Sequence, residues 1–409
     1  MAADKKGADA PATQQIHHPY VPPAGFAAVA PALHRASTVL FEDVAAMRAS
    51  HWLDKSTYTY GLHGTPTSFT LEARLATLEG GTHAMLAPSG LAAIALVDQT
   101  LLSSGDTVLI PSNAYFPNKN LAAHELARWG IAHRLYDPMD LESLRAALGP
   151  DVALVWIEPP GSVTLEFPDL RGLVRTVRAH APRAVIGLDN TWGSGLAFDA
   201  FDLDPGATPE LGADLTVHAL TKYPSGGADV MMGSVVTRSK DLHDRLWMSH
   251  CRLGLGVGPN DVELVLRGLQ TAALRYAAQD AATRRIAQWA LGRREFVHVL
   301  NPATPGSPGH EHWAAQCRAA AGLVSLEFDP AYSPERVERF VDDLRLFGIG
   351  WSWAGPMSLA VPYRAGTDRV SATSCKGTVV RLSIGLEDPA DLIRDLEAAL
   401  EKLGSTTGA

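Results

Sequence analysis

Apolar residues follow two rhythms along this chain. In SFTLEARLATLEG (68–80) they recur at helical spacing and stop at Gly80-Gly81, which predicts a helix with a glycine stop. TVLIPS (107–112), after the turn Gly105-Asp106, is instead a short unbroken apolar run, the pattern of a buried strand. The alternation then continues. LAAHELARWG (121–130) and LRGLVRTVRAHA (170–181) read as helices. AHRLYDP (132–138), DVALVWIEPPG (151–161) and AVIGLDNT (184–191) read as strands, and ADLTVHALTKY (213–223) and ADVMMGSVVTR (228–238) as two more. Such alternation predicts an α/β layer with a mostly parallel mixed sheet. Ligands in these sheets sit beyond the carboxyl ends of the strands, where Glu158, Asp189 and Lys222 all fall.

The stretch from about 240 to 295 is mainly helical, and NPATPGSPGHEHW (301–313) breaks the pattern. Beyond it, AGLVSLEF (321–328), GIGWSW (348–353) and TVVRLSIG (378–385) read as strands. SPERVERFVDDLRLF (333–347) and DPADLIRDLEAALEKL (388–403) read as helices, which makes a smaller α+β domain. Upstream, HHPYVPPAGFAAVAPALHRASTVLFEDVAAM (17–47) is rich in proline and alanine and cannot form a core alone. The expected organisation is a disordered tail (1–15), an arm that packs on another subunit (16–66), a large domain (67–270) and a small domain (271–409).

Composition narrows the function. With 409 residues, 46% hydrophobic and 19% charged, the chain suits a compact enzyme rather than a disordered protein. A formal net charge of −9 argues against a nucleic-acid partner, although local groups still suffice to bind an anionic cofactor. Cys251, Cys317 and Cys375 are far apart and form no CxxC pair, so reduced thiols are expected. No apolar run reaches membrane-spanning length, and the two N-terminal lysines have no apolar segment behind them. The expected location is therefore the cytoplasm.

The candidate chemistry sits in two phrases. AVIGLDNTWGSG ends an apolar run with Asp189, and LTVHALTKYPSGGADVMMG carries one lysine, Lys222, between apolar and glycine-rich flanks. Most lysines are simply solvated, but these flanks place the amine toward a pocket. A buried carboxylate opposite a lone lysine is what pyridoxal phosphate requires. The lysine holds the cofactor as a Schiff base, and the carboxylate keeps the pyridine nitrogen protonated. Ser89, Gly90 and Leu91 open a helix whose free amides suit a phosphate, although Ser-Gly is also an ordinary N-cap. Tyr115, in a loop after a strand, is placed to lie on the cofactor ring, unless it is merely a packed loop residue. Arg381 lies inside an apolar strand, where a substrate carboxylate or an internal salt bridge would pair it. His310 and His312 are two apart with no matching pair, so no metal is expected. No GxSxG phrase supports a serine triad.

Taken in order, YGLHGTPT, LEGG, PSGLAAI, NAYFPN, EPPGSVTLE, IGLDNTW, ALTKY, RGLQT, PGSPGHEHW, SWAGPMSL and RLSIGLED resemble the Cys/Met-metabolism family of pyridoxal-phosphate enzymes, from about Tyr58 to Leu403. The resemblance implies an aspartate-aminotransferase-like (type I) fold and a homotetramer of two tight dimers with shared active sites. It implies that Lys222 is the Schiff-base lysine, Asp189 the pyridine-nitrogen partner and Tyr115 the stacking and catalytic tyrosine. Gly90, Leu91 and Thr221 would contact phosphate, and Tyr60 would reach the phosphate of the neighbouring subunit. Arg381, helped by Ser352 and Trp353, would bind the substrate carboxylate. The family usually has an arginine two positions after this tyrosine, where this chain has Leu62 and then His63.

Within the family, Tyr115-Phe116-Pro117, Glu158-Pro159-Pro160-Gly161-Ser162 and Trp351-Ser352-Trp353 resemble the β-eliminating branch. The implied activity is α,β-elimination of a thioether amino acid, cystathionine, to homocysteine, pyruvate and ammonia. A γ-acting relative, a cysteine desulfhydrase and an inactive cofactor-binding regulator remain as alternatives.

Overall fold

The computed structural model describes residues 9–52, 55, 57–367 and 375–405. A seven-stranded sheet forms the large layer. Its strands are β1 (His83–Ala87), β2 (Thr107–Pro111), β3 (Ala132–Tyr136), β4 (Val152–Ile157), β5 (Val185–Asp189), β6 (Leu215–Ala219) and β7 (Gly233–Thr237), in the order β1-β7-β6-β5-β4-β2-β3. The pairs from β3 through β6 are parallel, and β7 runs antiparallel to both its neighbours. Both faces are buried, so the strands alternate between two cores rather than between core and solvent. Val108, Ile110, Leu154 and Trp156 enter one core, and Leu109, Val155 and Ile157 enter the other.

The small sheet contains β8 (Phe296–Leu300), β9 (Leu323–Phe328), β10 (Gly348–Ile349), β11 (Leu359–Tyr363) and β12 (Val379–Ser383), in the order β10-β11-β12-β9-β8. Helices Pro334–Asp342 and Pro389–Ser405 bury Val337, Phe340, Leu392 and Leu396 against it. The Ala272–Ala290 helix belongs to both cores. Its first turns place Ala272 and Tyr276 in the large core, and its last place Ile286, Ala287 and Ala290 in the small one.

Several expected elements differ in extent. ADVMMGSVVTR is strand only from Gly233, because the preceding residues form the turn that returns the chain antiparallel. GIGWSW contributes just Gly348–Ile349, and Trp351 to Trp353 leave the sheet. The LAAHELARWG helix begins earlier, at Phe116, and widens over Ala122–Leu126. Half of the expected tail lies outside the described residues. Its last part is a short helix, Pro11–Ile16, with Gln15 buried and its amide donating to the Arg74 carbonyl at 3.3 Å. In the arm, Thr38 and Tyr60 form an isolated antiparallel bridge. Among the described residues no helix is long and apolar enough to cross a membrane, and no cluster of His, Cys, Asp and Glu suits a metal ion.

Candidate active site

A cavity of about 560 Å³ opens at the carboxyl edge of the large sheet, roofed by the small domain. Ser89, Gly90, Leu91, Tyr115, Glu158, Asp189, Thr221, Lys222, Ser352, Trp353 and Arg381 all line it. Tyr60 does not line it and is about half exposed.

One end suits an anion. Ser89 caps the Gly90–Leu101 helix, its Oγ accepting from the Ala92 amide at 3.0 Å. The amides of Gly90 and Leu91 follow at the positive end of the helix dipole. Gly90 permits a close approach to β6, since a Cβ there would lie 2.7 Å from the Ala219 Cβ. Thr221 stands beside this end, its hydroxyl accepting from the Met232 amide at 3.4 Å. Lys222 and Arg381 are the only cationic side chains lining the cavity among the described residues.

Asp189 is the last residue of β5, and its Oδ1 accepts from the Thr191 amide at 3.0 Å. The Thr191 hydroxyl in turn accepts from the Ala219 amide at 3.0 Å, tying β5 to β6. Burial raises the Asp189 carboxyl above its ordinary range, and the Thr191 hydrogen bonds and His218 counter this. Lys222 lies in the turn after β6. Its Nζ donates to Ser352 Oγ at 2.9 Å and lies 5.5 Å from the Trp353 ring centre. Desolvation lowers its ammonium to about 8, Arg381 pushes the same way and Asp189 opposes. Ser352 also receives Arg381, whose Nη2 donates to the Ser352 carbonyl at 3.5 Å. Arg381 is buried on β12, with its guanidinium 5.6 Å from the Tyr363 ring centre.

Two groups beyond those singled out in the sequence shape the site. In the sequence Glu158 stands at a strand end and opens a phrase of the β-eliminating branch, with no role of its own. Its Oε2 accepts from the Tyr115 amide at 2.8 Å, fixing the loop that carries the tyrosine. Burial holds its carboxyl well above the usual range, with Asp189 adding to the effect. Tyr363 was not singled out at all, because its nearness to Arg381 depends on the pairing of β11 with β12, where Val361 sits opposite Arg381.

An anion cradle, a lysine amine of reduced basicity and a buried carboxylate surround one space. This donor set fits a phosphate, an aldehyde and a protonated pyridine. Together with the fold, it defines a pyridoxal-phosphate enzyme of the aspartate-aminotransferase-like class. The family model for Cys/Met metabolism PLP-dependent enzymes matches residues 12–401, and the chain belongs to that family. It is 37% identical to a cystathionine β-lyase from Bordetella avium, over 94% of this chain and 95% of that protein. It is 34% identical to an L-alanine/L-glutamate racemase from Wolbachia pipientis, over 85% of this chain and 83% of that protein. Among solved structures, cystathionine γ-synthase from Xanthomonas oryzae pv. oryzae, in complex with aminoacrylate and cysteine, superposes with a TM-score of 0.87. That match has 30% identity and covers 98% of this chain and 100% of that one.

Proposed function

We infer that this enzyme cleaves L-cystathionine by α,β-elimination, releasing L-homocysteine, pyruvate and ammonia, a step suited to methionine biosynthesis in the cytoplasm. The observation that carries the reading is Lys222, a partly neutral amine that shares Ser352 with the carboxylate-binding candidate Arg381. Pyridoxal phosphate, when bound, supplies the electron-withdrawing ring that stabilises negative charge at the substrate Cα. The Ser89–Leu91 segment and Thr221 would hold its phosphate, Asp189 would accept the pyridine N–H, and Tyr115 would cover the ring.

Arg381 takes the substrate carboxylate in a bidentate pair, flanked by Ser352 and Trp353. Lys222 Nζ removes the Cα proton. As the Cβ–S bond breaks, Lys222 Nζ or Tyr115 Oη returns a proton to sulfur, and the aminoacrylate released is hydrolysed by water to pyruvate and ammonia. The exposed Trp351, packed edge-on to Tyr363 at 5.8 Å, adds bulk at the rim and favours β- over γ-elimination. The likeness to a cystathionine β-lyase supports the same branch.

A homotetramer with shared active sites belongs to the same reading. Val21, Val29 and Leu40 in the arm are 90%, 92% and 89% exposed, and an apolar arm of this kind suits a neighbouring subunit. The arm would carry Tyr60 to the neighbour's phosphate, where Leu62 supplies no charge.

A second reading has a specific support. Lys222 and Tyr115 are two proton carriers in one cavity, as an amino-acid racemase needs, and one relative bears that name. The deciding experiment incubates purified holoenzyme with L-cystathionine and identifies the products. Pyruvate with homocysteine is expected. Formation of 2-oxobutyrate with cysteine would assign γ-elimination. Turnover of L-alanine to D-alanine without thiol release would assign racemisation.

A further inference from the structure

Next to Asp189 in the fold, and outside the cavity lining, Glu79 and His218 form a buried contact that the reaction described above does not use. Glu79 ends the Pro66–Glu79 helix, and its Oε1 lies 2.6 Å from Nδ1 of His218 on β6. Its Oε2 accepts from the Asn190 amide group at 2.6 Å, and Asn190 directly follows Asp189. The far nitrogen of His218 lies 3.4 Å from the Ser194 hydroxyl. Glu79 is 0% and His218 1% exposed at the side chain, so bulk solvent does not screen the pair.

This is a poor place for a carboxylate. The C-terminal end of a helix is the negative end of its dipole, and full burial removes solvation as well. Buried pairs of this kind seldom stabilise a fold more than well-packed apolar residues would. A role beyond folding follows from what the pair faces. His218 acts to stabilise the Asp189 carboxylate and Glu79 acts against it, the imidazole being the stronger. Asp189 in turn acts on Glu158, beside which stands Lys119, and on Lys222, beside which stands Arg381.

We propose that the Glu79–His218 pair is a positioning device that keeps Asp189 anionic and aimed, and so keeps the proton on the pyridine nitrogen of the bound cofactor. This rests on the reading of Asp189 as the ring partner. One carboxylate thus holds both Asn190, which follows Asp189, and His218, which follows Val217, the residue paired with Asp189, and keeps the imidazole where it favours the Asp189 anion.

The test is the pH midpoint at which the visible absorption band of the holoenzyme changes. His218→Asn leaves Glu79 as uncompensated negative charge, so the midpoint should rise by about half a unit or more. The double variant E79Q/H218N removes both members and should return the midpoint toward wild type. A purely structural pair would lower the melting temperature in all variants and leave the midpoint alone. An unmoved midpoint in folded H218N holoenzyme, or a double variant displaced as far as the single, overturns the proposal. Should H218N not fold, Glu79→Asp, which draws the carboxylate back from the imidazole, replaces it, and an unmoved midpoint counts in the same way. Asp189→Asn is measured alongside. If it too leaves the midpoint unmoved, the assignment of Asp189 fails instead.

Discussion

Lys222 illustrates how much one side chain's surroundings decide. An ammonium lowered to about 8 is mostly protonated at pH 7 and mostly free amine at pH 9. The rate at which apoenzyme takes up pyridoxal phosphate should therefore climb between those values and level off above them, as stopped-flow absorbance would show. Lys222→Ala should leave no borohydride-fixed adduct in the peptide containing residue 222 and lower lyase turnover by about a thousandfold or more. An adduct on another lysine would move the assignment. Lys222 and Asp189 were legible in the sequence because each interrupts an apolar run, where a charge requires a reason. Glu79 and His218 were not, since each lies in a phrase that reads as ordinary helix or strand. Only the approach of a helix end to β6 brings them together.

The helix beginning at Gly90 and the strand β6 form the element on which the proposed phosphate site depends. Gly90→Ala would set a Cβ 2.7 Å from the Ala219 Cβ and 3.1 Å from its Cα, and backbone cannot yield as a side-chain tip can. The helix start should move off the sheet, costing about 1–3 kcal/mol of stability. Cofactor affinity, measured by titration of apoenzyme, should fall with it. The alternation of helices and strands was readable over most of the large sheet because its strands are continuous apolar runs buried on both faces. The strands β1, β8 and β11 escaped notice. β1 acquires its place only through antiparallel pairing with the distant β7, and β8 and β11 pair with β9 and β12 only across long connections. Strand order is a long-range property that local periodicity does not encode.

For the molecule as a whole, acid sensitivity has a definite source. Burial lowers His243 and His250, on the Lys240–Leu253 helix, to about 4, while unfolded histidine titrates near 6.5. As pH falls below about 6.5 the unfolded chain takes up these protons first. Stability is thus fully present above about 6.5 and declines toward 4, by up to about 3 kcal/mol per histidine. The raised carboxyls of Asp98, Glu158 and Asp189 act in the opposite sense, so the diagnostic is a difference. His250 stacks on Trp247 at 5.3 Å, and His250→Phe keeps that contact. Urea denaturation at pH 7.5 and pH 5 should show a smaller loss in the variant than in the wild type. An equal loss would place the sensitivity elsewhere.

The Ala272–Ala290 helix is anchored at one end in Lys222's layer and at the other in Arg381's, so it ties two jaws together. Any tilt of the lesser jaw would carry the guanidinium and Ser352 together, so in the proposed reaction grip on a substrate's acid group and the freedom of the lysine to act would be set by one movement. Selection for a different substrate length can then proceed by re-angling the jaw, leaving the reacting groups themselves untouched.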